Sequence, residues 1–139
     1  MYQDLIKNLK LLTENVIFDL TKSINILGLS ARQAEYLEII NSTENCTPKF
    51  LAEFFQIRKP TVTSGINFLL ENGLVKKIQS GKDKRVFFLT LTNKGENKLK
   101  KIQKEKEDIV NKYLQPLNSK EIKQLSWIVN KIILISGLK

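Results

Sequence analysis

Residues Arg58–Leu91 read RKPTVTSGINFLLENGLVKKIQSGKDKRVFFLTL. Two periodicities share this stretch. Val62, Ile66, Leu69 and Leu70 fall at i, i+4, i+7 and i+8, which puts them on one side of a helix over about 60–72. Phe87, Leu89 and Leu91 alternate with Phe88 and Thr90, the pattern of a half-buried strand. Gly73 stands where the helix should stop. Glycine suits the left-handed C-terminal position, and Leu74 supplies the apolar contact that often follows it. The strand-like runs Leu74–Gln79 and Val86–Leu91 flank a polar tip, Ser80–Arg85, that contains a glycine. The order is helix, strand, tight loop, strand.

Upstream, Thr47 and Pro48 form an N-cap followed by proline at the first helical position, where a missing N–H costs nothing. Leu51, Phe54 and Phe55 mark a short helix over about 48–56. Ile57–Lys59 is a turn, and Pro60 starts the next helix in the same way. Two short helices joined by a tight turn make a helix-turn-helix. Before it, Ser30 to Gln33 has the form of a capping box. Ala34, Leu37 and Ile40, with Tyr36 beside them, give the inner face of a helix over 31–42. Residues 3–27 carry Leu5, Ile6, Leu9, Leu12, Val16, Ile17, Leu20, Ile24 and Leu27 at spacings of three and four, and Gly28 ends that helix. Its length suggests packing against a partner chain. Downstream, Thr92 caps a helix over about 93–114 and Pro116 stops it. Asn118 to Glu121 is a second capping box before a last helix that is apolar almost all round, and so expected to be buried, between subunits.

A chain of 139 residues is one domain by size. Its formal net charge is +9, unevenly spread. Residues 58–85 hold seven basic and two acidic side chains, whereas residues 31–57 hold two basic and four acidic. A basic concentration in the central stretch points to a polyanion, since its cations would replace counterions on phosphate. The bland alternative is a lysine-rich surface, because only three of the 23 basic residues are Arg. One Cys and no His leave no internal disulfide and no ordinary zinc site, and no metal or cofactor is expected. Histidine-based acid–base chemistry is absent as well, as are a glycine-rich phosphate loop and a Ser or Cys with a His partner, so an enzyme is not expected. No apolar run is long enough to span a membrane, and the N-terminus lacks the apolar block of a signal peptide. A reducing cytoplasm is the expected compartment.

With its apolar side inward, the 60–72 helix turns Thr61, Ser64, Asn67, Phe68 and Glu71 outward, with Thr63 at the edge. Small hydroxyls and an amide suit a major groove. Asn pairs bidentately with adenine, and Thr either bonds a base or touches a thymine methyl. Arg58 and Lys59 sit at the helix start, where phosphate is favoured. At the hairpin tip, Lys82, Lys84 and Arg85 are extended cations for a narrow minor groove, and Asp83 among them is a carboxylate placed to hold the tip rigid. An ordinary solvated face and a solvated turn are the competing readings.

These words and their order resemble the MarR (multiple antibiotic resistance regulator) winged-helix family over nearly the whole chain. The resemblance rests on Leu51-Ala52, Val62-Thr63, Leu69, Gly73-Leu74-Val75, Asp83-Lys84-Arg85, Leu91-Thr92 and Gly95. It implies a mainly α fold with a small β-wing: a winged helix-turn-helix lobe over 30–92, with dimerisation helices at 1–29 and 93–139. It further implies a homodimeric regulator, expected to be a repressor, whose recognition helices enter the major groove of palindromic double-stranded DNA. Asp83 would pin the wing and Arg85 would reach the minor groove, and a small-molecule effector would release the complex. The family commonly carries Arg after Val-Thr and again four residues later. Here Ser64 and Phe68 stand there, and Gly65 lowers helix propensity by about 1 kcal/mol relative to Ala. Without Arg for guanine, an A·T-rich operator read by Thr61, Ser64 and Asn67 is expected. Oxidant sensors of this kind place the reactive Cys in the N-terminal helix, so Cys46, just before Thr47, is expected to be a packing residue. The alternatives are a winged-helix protein-interaction module and a non-specific architectural DNA binder.

Overall fold

The computed structural model describes residues 1–138. Lys139, the end of the expected 93–139 stretch, lies outside the described residues. The element order is α1 (Tyr2–Ile26), α2 (Ala31–Ser42), α3 (Pro48–Phe55), α4 (Lys59–Glu71), β1 (Val75–Gln79), β2 (Phe87–Leu91), α5 (Asn93–Leu114) and α6 (Ser119–Ser136). The fold class is the expected one, mainly helical with a two-stranded antiparallel wing. The chain divides into two compact units, residues 1–106 and 107–139.

Local chemistry sets most boundaries of the first unit. Ser30 and Gln33 form the expected capping box, with Gln33 N–H donating to Ser30 Oγ at 3.1 Å and Ser30 N–H to Gln33 Oε1 at 2.9 Å. Thr47 Oγ1 caps α3 by accepting from Phe50 N–H at 3.0 Å. The turn into α4 needs a left-handed residue, and Gln56 supplies it at φ 53°. One expectation fails by a residue. Helix α4 begins at Lys59, so Pro60 is its second residue, and Arg58 in the N-cap position gives no side-chain cap. Proline is still tolerated there, because the second N–H is also one that no carbonyl of the helix could receive. The C-terminus closes as a Schellman motif: Gly73 at φ 67° donates to Leu70 O, and Leu74 N–H to Leu69 O.

The core lies in the first unit. Leu37, Leu51, Val62, Leu69 and Ile102 are fully buried, with Ile40, Ile66, Leu89 and Leu99 beside them. Tyr36 belongs to this core, and its ring meets Phe55 edge-on at 5.4 Å. Phe68, expected on the outer face of α4, is instead half-buried against the core. Helix faces are continuous, and residue 68 falls beside Leu69 at the border of the apolar stripe. Strand β1 pairs with β2 in the register Val75↔Leu91 to Gln79↔Phe87. Cys46 forms a single bridge to the other edge of β2, through Leu89 N–H and Cys46 O at 2.8 Å. Cys46 is fully buried, and burial pushes its thiol up to about 11.

The first turn of α5 is built onto the end of α4. Thr92 Oγ1 accepts from Gly95 N–H at 3.0 Å, the expected cap, and also donates to Gly73 O. Lys94 Nζ donates to Asn72 O at 2.8 Å. Gly95 allows this approach, since a Cβ there would stand 1.9 Å from Leu74 O. Farther along, Lys98 Nζ reaches Leu27 O, the end of α1, and Lys106 pairs with Glu38 of α2.

Helix α1 buries only Ile24, leaving Leu5, Ile6, Leu9, Leu12 and Ile17 at least half exposed. In the second unit, α6 is capped by the reciprocal bonds of Asn118 and Glu121. Within one chain α6 is exposed, and its expected burial is against a second subunit. Trp127 is 63% exposed and Leu134 81%. Eighteen residues of one helix in a unit this small have no second layer to cover both faces.

Candidate nucleic-acid interface

Every residue that the sequence singles out for nucleic-acid contact lies on the surface. Arg58, Lys59, Thr61, Thr63, Ser64 and Asn67 are exposed along α4, and Lys82, Asp83, Lys84 and Arg85 are exposed at the hairpin tip. Val62, Ile66 and Leu69 turn α4 inward, which is what presents the polar face outward. Among the described residues, Thr61, Ser64 and Asn67 make no side-chain hydrogen bond in the chain. Their donors and acceptors are available. Thr63 differs: its hydroxyl donates to Lys59 O at 3.0 Å.

The hairpin is stiffened by its own polar groups. Asp83 Oδ1 accepts from the backbone N–H of Arg85 at 2.9 Å, and Val86 N–H closes onto Asp83 O at 3.1 Å. This is a local turn in which the side chain stands in for a backbone acceptor. Gln79 Nε2 reaches across to Lys84 O at 2.9 Å. Below the tip, Lys77 Nζ sits 4.4 Å from the Phe87 ring centroid. The Asp83 carboxylate therefore shapes the tip through the backbone, and no ion pair within the described residues ties it to Lys82, Lys84 or Arg85.

Helix and hairpin meet in one cleft of about 450 Å³, lined by Thr47, Pro48, Lys49, Lys59, Thr63, Arg85, Val86 and Phe87. It brings Lys59 and Thr63 of α4 together with Arg85 of the wing. Thr61, Arg58 and the tip lysines are not part of it. Lys49 is a further cation of this cleft, outside the stretch that the charge pattern marks. It stands in the first turn of α3, where positive charge is disfavoured by the helix dipole, and that misplacement was the available signal. The N-terminus of α4 has no side-chain cap, and Arg58 and Lys59 there add two cations to the same basic side of the lobe. With Lys82, Lys84 and Arg85 projecting beside it, this side is chemically suited to a phosphate backbone, and the face of α4 between the cations carries groups that bond base edges.

A second cleft, of about 160 Å³, lies between α1, α2 and α5. Ile17, Leu20, Thr21, Ile24, Ala31, Glu35 and Lys106 line it. No helix of the described residues is long and apolar enough to cross a membrane.

The family model for the MarR family matches residues 29–87, the segment from the start of α2 into the wing. The HTH-type transcriptional regulator BilQ of Clostridioides difficile (strain CD3) is 38% identical over 64 residues, 46% of this chain and 43% of BilQ, so the match spans less than half of that relative. The HTH-type transcriptional repressor MdtR of Bacillus subtilis (strain 168) is 23% identical over 132 residues, covering 95% of this chain and 85% of MdtR. Streptococcus pneumoniae FabT, solved in complex with DNA, superposes with a TM-score of 0.78 at 23% identity over the whole of both chains.

Proposed function

We propose that this chain is a member of the MarR family and, on that reading, a cytoplasmic, sequence-specific DNA-binding regulator, a homodimeric repressor of a palindromic operator. It is a transcriptional regulator of that family, not an enzyme. Helix α4 is the recognition helix and the β1–β2 hairpin is the wing. The observation that carries the reading is the Asp83 turn, which holds Arg85 at a rigid tip, together with the cleft that joins Arg85 to Lys59 and Thr63 of α4. Arg58, Lys59, Lys82, Lys84 and Arg85 hold the backbone. Thr61, Thr63, Ser64 and Asn67 face the bases, and their chemistry, without Arg, favours an A·T-rich site. The exposed apolar faces of α1 and α6 are what a second copy would cover, and two-fold symmetry in the protein asks for two-fold symmetry in the operator. The 160 Å³ cleft between α1, α2 and α5 is a site for a small effector. Its polar lining is Thr21, Glu35 and Lys106, of which Glu35 pairs with Arg32 and Lys106 with Glu38, so an effector would have to share or displace those partners.

The test is binding of a duplex from the chain's own upstream region and of a scrambled duplex, measured by anisotropy across a salt series. Specific regulation requires the upstream duplex to bind at least a hundredfold tighter, with log K falling against log salt. Equal binding of both duplexes with a steep salt slope would make this an architectural binder. Binding of neither would leave an interaction module, the reading that the arginine-free α4 favours.

A further inference from the structure

We propose that Thr63 is the thymine-reading residue of α4, and that it reads with its methyl group and not with its hydroxyl. The inference rests on the DNA-binding reading above and refines it. Four small polar side chains stand on or beside the outer face of α4, and only Thr63 has its hydroxyl committed within the chain, donating to Lys59 O at 3.0 Å. A hydroxyl has one proton. With that proton held by the preceding turn, Thr63 has none left for the purine N7, guanine O6 or thymine O4 acceptors of the major groove. The same bond restricts the side-chain torsion, which is already stiff in a β-branched residue, so the methyl is held in one orientation on an exposed position.

The cleft that Thr63 lines is mixed, with the cations Lys49, Lys59 and Arg85 and three apolar residues. Pro48, Val86 and Phe87 line the cleft it shares with the wing root. The 5-methyl of thymine is the apolar feature of the major-groove edge. A methyl held at an exposed position, on a side chain whose hydroxyl proton is already bonded, is therefore complementary to the thymine methyl. Thr61, Ser64 and Asn67 keep their hydrogen-bonding groups free for the neighbouring bases. The preference is thus for thymine at one position of each half-site, a narrower statement than A·T richness.

The test begins with selection of bound duplexes from a random pool by the wild-type protein. The enriched duplex is then remade with deoxyuridine in place of each thymidine in turn, which removes only the 5-methyl. At one thymine per half-site, uracil should weaken wild-type binding about fourfold, the value of one buried methyl group. Thr63→Val, which keeps both branches as methyls, should retain that thymine-over-uracil ratio. Thr63→Ser, which keeps only the hydroxyl, should bring it to about one. A wild-type protein indifferent to uracil at every position overturns the inference and leaves the DNA-binding reading standing. So does a ratio kept by Thr63→Ser and lost in Thr63→Val. A pool from which nothing is enriched overturns both.

Discussion

The ring of Tyr36 fills the space that a side chain at position 65 would need: a Cβ on Gly65 would stand 2.4 Å from Tyr36 Cε2 and 3.1 Å from Cδ2. The glycine that interrupts α4 is thus a seat for α2. It sets how closely α2 and α4 approach, and so how far the outer face of α4 protrudes. Gly65→Ala would gain about 1 kcal/mol of helix propensity, while forcing a methylene into a packed site costs about 1–3 kcal/mol. The ring cannot swing away, because it is buried and held edge-on to Phe55. Steric cost should win. Urea unfolding should show Gly65→Ala destabilised by about 1 kcal/mol or more, and the same change in a Tyr36→Leu background should become neutral or stabilising.

Tyr36 carries a second cost. Its hydroxyl is buried with no hydrogen-bond partner among the described residues, and burial raises the ionisation of the phenol above its ordinary value. An unsatisfied buried hydroxyl is worse than none. Tyr36→Phe should therefore stabilise the protein by about 1 kcal/mol, read as a higher urea midpoint with an unchanged slope. A lower midpoint would mean that the hydroxyl has an ordered water.

At the wing, Asp83 and Arg85 should separate shape from charge. Asp83→Ala removes the acceptor of the Arg85 N–H but leaves every cation. Binding should weaken several-fold while the salt slope stays unchanged, because the phosphate contacts are misplaced and not deleted. Arg85→Ala should lower the slope by about 1 per subunit if its contact is to phosphate. Neither variant should shift thermal unfolding noticeably, since both side chains are exposed. Equal slopes and affinities in both variants would remove the wing from the interface.

Cys46 makes stability fall in alkali. Its folded-state thiol titrates at about 11, against 9.0 for the free group. The folded state holds the proton more tightly, so the contribution is complete below pH 9 and is lost as pH rises toward 11. The loss amounts to roughly 2–3 kcal/mol. Comparing wild type with Cys46→Ala by urea unfolding at pH 8 and pH 10.5 isolates it: the wild type should lose more stability across that interval. Identical losses would show the thiol to be untitrated or solvent-reached.

What the sequence made legible was mainly local. Capping boxes at Ser30 and Asn118, the glycine stop at Gly73 and the alternation in β2 are each decided within a few residues, and each is present. The wing turn belongs to the same class, because Asp83 bonds a residue two places away. The start of α4 moved by one residue, since proline is tolerated at more than one position of a first turn. What stayed hidden depends on partners distant in the chain. Nothing near Gly65 announces a tyrosine 29 positions upstream, so the glycine read as a defect and not as a seat. Phe68 read as outward because four aliphatic residues define the inner face well enough without it, yet its bulk reaches the core. Lys49 joined the cleft only when α3 and the wing were brought together.

Thr92 uses one oxygen for two helices, accepting the Gly95 N–H at the head of α5 and donating to Gly73 O at the tail of α4. Lys94 holds the neighbouring carbonyl of Asn72, and Gly95 leaves no gap above Leu74. Helix α4 is therefore held at its far end by side chains at the head of α5, whereas at its near end Arg58 gives no side-chain cap. Thr92 thus ties two helices through one side chain, so that Thr92→Val would loosen the head of α5 and the tail of α4 together.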